Sequence, residues 1–169
     1  MIRPAEPRDL GALPAIEVAA GESFRAYGMD RIADDPPPSV AALAGYQAKG
    51  LAWVATDERD QPVAYLLVEL LGVELLGVEA HIEQVTVHAG KRLGAALIDA
   101  VADWALGAGI RTLTLTTFQD VPWNAPYYAR IGFRTVPRED WSPVLQGIVA
   151  DEAELGRWPR VVMKRELAP

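Results

Sequence analysis

The 169-residue chain contains no cysteine. That excludes disulfides, thiolate nucleophiles and cysteine-based zinc sites together, and it agrees with a reducing, cytoplasmic setting. Histidine is nearly absent as well. His81 and His88 are the only two, too few for a histidine-rich centre, so no metal is expected. No run of about 18 apolar residues occurs, so nothing is expected to span a membrane. The opening residues, MIRPAEPRDL, carry charges and prolines where a secretory leader needs an apolar run. Positive charge is the scarcer sign: 16 Lys and Arg against 23 Asp and Glu give a net charge of −7. An acidic chain repels nucleic acid and anionic lipid in bulk. The one dense basic pair in mid-chain, Lys91-Arg92, suits a phosphate group and is too little for a duplex. Neither nucleic acid nor membrane is therefore expected as a partner.

What is present is ordinary for one globular domain. Half the residues are apolar and 23% are charged, and the length and even composition point to a single domain over residues 1–169. Ile2–Glu6 reads as a short first strand. Pro7-Arg8-Asp9 then starts a helix, with Asp9 able to cap it and Leu10, Leu13, Ile16 and Ala20 at helical spacing. Pro14 must fall in its first turn or kink it. A second helical piece fits Glu22–Tyr27, and Gly28–Pro38 is a loop ending in three prolines. Ser39 caps a helix over Val40–Lys49. Leu51–Thr56 and Pro62–Leu70 are strands joined by the polar turn Asp57–Asp60, a hairpin signal.

The sequence ELLGV then occurs twice in tandem, at Glu69–Val73 and Glu74–Val78. Two copies of five residues are too short for a repeat architecture, whose periods are about 20 or more. They fit an elongated hairpin end or a local duplication. Ala80–Val87 is the central strand. Ile82 is out of phase with Val85 and Val87, which a β-bulge near Glu83-Gln84 would restore. A helix from about Arg92 to Ala108 puts Leu93, Ala96, Leu97, Ala100, Val101, Trp104 and Ala105 on one face. Arg111–Phe118 alternates leucine and threonine as a strand. Asn124 precedes a short helix over Ala125–Ile131, with Pro126 in its first turn and Gly132 after its end. Phe133–Val136 is a strand, Ser142-Pro143 opens a helix reaching about Leu155, and Arg160–Arg165 is the last strand.

Two pieces carry chemistry. Ala89–Gly94, AGKRLG, joins the central strand to its helix. Backbone N–H groups at a helix start carry partial positive charge and can cradle a pyrophosphate, glycines allow close approach, and Lys91 and Arg92 add charge. Glycine and lysine also open ordinary helices, so this loop alone is a weak signal. The second piece, some 30 residues on, is Asn124-Ala125-Pro126-Tyr127-Tyr128-Ala129-Arg130-Ile131-Gly132-Phe133. Together the two resemble the GNAT superfamily of acetyl-CoA-dependent N-acetyltransferases. Its members carry a Gln/Arg-x-x-Gly-x-Gly/Ala loop after the fourth strand and an Asn–Ala–Tyr–x–x–x–Gly–Phe pattern after the fifth. Ala89 stands where Gln or Arg is usual, and Arg92 where the middle glycine is usual.

The resemblance implies an α/β fold: a mixed, mostly antiparallel twisted sheet of six or seven strands with helices on both faces. The cofactor would enter where the fourth and fifth strands part. It implies acetyl-CoA as cosubstrate and direct transfer to a primary amine in a ternary complex. The backbone of Val85–Val87 would pair with the pantetheine arm. The amides of Gly90, Lys91, Arg92, Leu93, Gly94 and Ala95 would hold the pyrophosphate. Asn124 would bond the arm or cap its helix. Tyr128 would protonate the leaving thiolate, its alternative being a core aromatic with a bonded hydroxyl. Glu83 and His81 are the candidate bases, each with a structural alternative. Trp123, Trp141 and Trp158 could line an acceptor pocket, though indole rings usually pack. A homodimer is admitted. Two other functions stay open: a non-catalytic acyl-CoA-binding module on the same fold, and an unrelated phosphate-binding α/β protein, which the Leu51–Leu70 hairpin argues against.

Overall fold

Runs of β-branched and aromatic residues between turn formers build the strands, and apolar residues at helical spacing build the helices. The computed structural model describes residues 1–73, 77–87, 92–153 and 158–169. In chain order the elements are β1 (Ile2–Pro4), α1 (Leu13–Gly21), α2 (Asp30–Ala33), α3 (Val40–Ala48), β2 (Ala52–Thr56), β3 (Pro62–Val73), β4 (Gly77–Val87), α4 (Gly94–Gly107), β5 (Thr112–Phe118), α5 (Ala125–Arg130), β6 (Arg134–Thr135), α6 (Pro143–Glu152) and β7 (Arg160–Glu166). The strands form one seven-stranded sheet in the order β1-β2-β3-β4-β5-β7-β6. β1 with β2, β2 with β3, β5 with β7 and β6 with β7 are antiparallel, and β4 with β5 is parallel. This is the mixed, mostly antiparallel α/β sheet that the sequence implied. Among the described residues, no helix is long and apolar enough to cross a membrane.

The chain divides into two compact units. One is Met1–Glu69 with Glu83–Asp103, and the other is Leu70–Ile82 with Trp104–Pro169. In the first unit the β2–β3 hairpin turns on Asp57, whose Oδ1 accepts from the N–H groups of Arg59 and Gln61 at 2.9 and 3.0 Å. Asp60 completes the turn with φ 59°, a left-handed conformation that short polar side chains tolerate. Alternation along β2 and β3 puts Ala52, Val54, Tyr65 and Leu67 on one side, where Leu13 and Ile16 of α1 and Leu43 of α3 cover them. Ser39 Oγ accepts from the Ala42 N–H at 3.1 Å and so caps α3, as expected.

The second unit is built on β5. Its seven residues pair in continuous register with β7, from Thr112↔Glu166 to Phe118↔Arg160. Leu113 and Leu115 are buried, while the alternate threonines lie on the other side of the strand. A core of Leu71, Val136, Leu145 and Val162 sits beneath α6, with Trp141, Ile148 and Val149 packed against it.

Several boundaries differ from the sequence reading for local reasons. Pro7–Ala12 is a 3-10 stretch, and the α-helix begins at Leu13, so Pro14 falls in its first turn. Asp9 does not cap that α-helix; its carboxylate instead accepts from the Glu6 N–H at 2.7 Å. The first ELLGV copy lies inside β3. Of the second copy, Gly77 and Val78 open β4, and 74–76 lie outside the described residues. Burial along β4 does not alternate: Ala80, His81 and Ile82 are all buried before the exposed Glu83. A strand covered on both faces shows such a run.

Asp9 is also the most enclosed charge near the N-terminus, 2% exposed. Arg3 grips it with both terminal nitrogens, at 2.7 and 3.0 Å. That hydrogen-bonded guanidinium holds the Asp9 carboxyl below its ordinary range. A lowered folded-state pKa stabilises the fold above the unfolded value, about 3.9, and the contribution is lost as the pH falls through the folded value. Asp9→Asn should therefore cost about 2 kcal/mol at pH 7, as for hydrogen bonds to charged groups. Urea denaturation at neutral and at acid pH checks this, because the gap from wild type should close in acid.

Candidate active site

The short helix α5 carries candidate residues of the second unit. Val121 accepts from the Asn124 N–H at 2.9 Å, and the Asn124 carbonyl accepts from the Tyr128 N–H at 3.0 Å. Gly132 ends the helix at φ +102°, and a side chain there would meet the Arg165 side chain at 3.6 Å. The chain must turn back at this point, so that Phe133 packs edge-on against the Tyr128 ring at 5.9 Å. Tyr127 meets the same ring edge-on at 5.6 Å from the other side in sequence.

Asn124 stands at the N-cap of α5, but its side chain makes no cap hydrogen bond. Its Oδ1 is buried and, among the described residues, has no hydrogen-bond partner. A buried acceptor left bare costs about 1–3 kcal/mol. One turn on, Tyr128 is 7% exposed. Burial pushes its phenol above the ordinary value, with the Tyr127 hydroxyl as a smaller influence, so it holds its proton at neutral pH.

His81 lies in the same unit. It is 1% exposed, and its Nδ1 is 2.8 Å from Thr114 Oγ1 across the β4–β5 ladder. Burial lowers its pKa to about 4, so the ring is neutral at pH 7. Polar groups that sequence reasoning did not single out lie on β4, β5, β7 and α6 of the same unit. Glu79 pairs with Lys164 at 3.3 Å. Glu152 accepts from Thr116 and Arg160, and the Arg160 guanidinium lies 4.4 Å above the Phe118 ring. Trp141 packs on the α6 core and donates from Nε1 to the Val136 carbonyl at 3.0 Å.

The first unit holds the remaining candidates. Glu83 is exposed on β4, and Val85 and Val87 are half-buried. Glu83, with Glu69, adds to the burial that raises the Tyr46 phenol pKa. Gly94 opens α4, and no acidic residue stands in the first turn of that helix. A helix start carries unsatisfied N–H groups and partial positive charge. Arg92 is exposed, and Leu93 and Ala95 are half-buried. Gly90 and Lys91, the other expected phosphate ligands, lie outside the described residues, as do His88 and Ala89.

Sequence reasoning missed Glu17 altogether. Its carboxylate, on α1, accepts from Tyr65 Oη at 2.9 Å, from Gln84 Nε2 at 3.0 and 2.9 Å, and from Thr86 Oγ1 at 2.5 Å. No local signal could have found it, because its partners lie 48, 67 and 69 residues away.

The His81 geometry gives a direct expectation. Its imidazole should not titrate between pH 5.5 and 8 but near the depressed value of about 4. A depressed folded pKa means that the unfolded chain takes up the proton first. Stability should then fall as the pH drops from about 6.5 toward the folded value. The ring-proton NMR shift of His81 followed against pH checks it. An inflection near pH 6.5 would contradict the buried geometry.

A model of the acetyltransferase (GNAT) family matches residues 19–133. Solved structures agree on the fold. An acetyltransferase of the GNAT family from Staphylococcus aureus Mu50 superposes with a TM-score of 0.72 at 16% identity, covering 99% of each chain. Ribosomal-protein-S18-alanine N-acetyltransferase from Escherichia coli gives 0.66 at 21% identity, covering 100% of this chain and 94% of that one. N-acetylglutamate synthase from Neisseria gonorrhoeae, complexed with coenzyme A and N-acetyl-glutamate, gives 0.71 at 15% identity; all of this chain is covered, but it spans only 35% of that longer protein. With the family match covering more than half of the chain, the chain belongs to the acetyltransferase (GNAT) family.

Proposed function

We propose that the protein moves an acetyl group from acetyl-CoA to a primary amine of a small molecule or protein, by direct attack in a ternary complex. The observation that carries the reading is Asn124: a buried amide oxygen without a partner among the described residues, one turn before a buried phenol that keeps its proton. Such an oxygen fits an amide N–H of the pantetheine arm. The neutral first turn of α4, with Arg92 beside it, suits the pyrophosphate. Leu93, Gly94 and Ala95 would offer their amides there, with Gly90 and Lys91 completing the cradle. The extended backbone of Val85–Val87 would pair with the arm as a strand does. Coenzyme A is present in the Neisseria gonorrhoeae structure and in a NatB complex of the same fold, which agrees with this assignment.

The chemistry then divides between named groups. Acetyl-CoA supplies an activated thioester. The amine nitrogen bonds to its carbonyl carbon, and the carbon–sulfur bond breaks. Tyr128 gives its phenolic proton to the departing sulfur. The attacking nitrogen sheds a proton, and a base must take it. Of the two expected bases we assign this to Glu83, whose carboxylate is exposed on β4. His81 is sealed, with a pKa near 4, and serves the packing between β4 and β5. The chain has no cysteine to carry the acetyl group as a thioester, which agrees with direct transfer. Arg92 at the middle glycine position favours one rival, a non-catalytic acyl-CoA-binding module. Such a module would bind coenzyme A and acetylate nothing in an amine library.

At about a hundredfold excess over Kd, acetyl-CoA should raise the melting temperature by about 5 °C or more. No shift at saturation defeats the cofactor assignment. Tyr128→Phe should cut turnover about 100-fold, the usual worth of a positioned general acid, while coenzyme A affinity by calorimetry stays near wild type. Unchanged turnover would remove the proton-donor role.

A further inference from the structure

Glu17 is a carboxylate on a short helix, yet three side chains from two different strands converge on it. Tyr65 comes from β3, and Gln84 and Thr86 come from β4. All of these residues belong to the same compact unit. Tyr65 is fully buried and Thr86 is 4% exposed. The Gln84 amide nitrogen reaches both Glu17 oxygens and also Thr86 Oγ1, at 2.8 Å. Every neighbour donates, so the carboxylate acts as acceptor only. Among the described residues, no cation pairs with it. Glu17 also lies outside the family match, which begins at residue 19.

Gln84 and Thr86 are alternate residues, so they leave β4 on one side and bracket Val85 between them. Holding both to one point on α1 fixes the pleat of this stretch. That matters because β4 pairs with β5 only at Ala80 and His81 among the described residues. Beyond those residues β4 keeps β3 as its hydrogen-bonded neighbour in the sheet, and the two-point side-chain anchor adds a hold from α1. Backbone pairing with a ligand needs N–H and C=O groups aligned to a few tenths of an ångström.

We propose that Glu17 is a positioning residue: it clamps β4 through Gln84 and Thr86, and so presets the Val85–Val87 backbone to receive the pantetheine arm. The proposal rests on the acetyl-CoA assignment above. It assigns Glu17 no contact with substrate. A purely structural carboxylate would affect melting and leave coenzyme A affinity alone. A clamp must show in the affinity of the folded protein.

The test is calorimetric titration of coenzyme A, run well below the melting temperature of each variant. In Glu17→Gln one of the two oxygens that accept from Gln84 Nε2 becomes an NH2 and no longer accepts, so one of the two bonds that hold Gln84 is lost. Coenzyme A should bind about tenfold or more weakly, as small misplacements do. The exchanged pair Glu17→Gln with Gln84→Glu restores one donor facing one acceptor and should recover most of that loss. A folded Glu17→Gln protein with wild-type affinity, or an exchanged pair no better than the single variant, overturns the proposal. Should Glu17→Gln fail to fold, Thr86→Val and Tyr65→Phe each delete one donor at nearly constant shape. Weaker binding in Thr86→Val then supports the clamp, and unchanged binding in both overturns it. A wild-type protein that binds no coenzyme A defeats the acetyl-CoA assignment itself and the clamp with it, an outcome distinct from wild-type binding that Glu17→Gln leaves intact.

Discussion

A strand is stable only if its backbone donors and acceptors are met, and among the described residues β4 meets few of them on the side of β5. The parallel ladder between the two comprises Ala80↔Leu113 and His81↔Thr114, whereas β5 pairs with β7 over its full seven residues. A parallel pair this short contributes little by itself. The same step in the strand carries a side-chain bond, His81 to Thr114, both essentially without solvent contact. Further along, Gln84 and Thr86 tie β4 to α1 through Glu17. Side chains thus add to the backbone pairing that β4 has with β3. A ligand with its own amides would complete the pattern, and a pantetheine arm is such a ligand.

Burial also fixes where the protons are. Tyr128 and His81 are both enclosed, and desolvation moves them in opposite directions, because it penalises the charged form of each. The phenol keeps its proton and the imidazole gives up its own. At neutral pH the phenol is thus protonated, and the imidazole is neutral with Thr114 Oγ1 at its Nδ1. The carboxylates divide in a similar way. Asp9, Glu17 and Glu152 accept from neighbours that hold them in place, while Glu83 is solvent-exposed on β4.

Features set by neighbouring residues were legible in the sequence. The β2–β3 hairpin could be seen because Asp57 and Asp60 are turn formers between two β-prone runs. The helix α5 could be seen because Asn124, Pro126 and Gly132 punctuate it at the right spacing. The boundaries of α3 and of β5 followed from Ser39 and from the Leu113/Leu115 alternation. What depended on distant partners was not legible. His81 looked like a base because nothing nearby in sequence says that Thr114, 33 residues on, will seal it. Glu17 looked like one more polar helix residue. Asn124 was expected either to cap its helix or to bond a ligand, and only the fold shows that its side chain makes no cap hydrogen bond.

Backbone hydrogen exchange with and without coenzyme A tests most directly where the cofactor lies. Amides of Val85–Val87 and of the first turn of α4, and those around Asn124–Tyr128, should exchange more slowly when coenzyme A is bound, while those of the β2–β3 hairpin should not change. Protection confined to other segments, or none at all under saturating coenzyme A, would contradict the assignment.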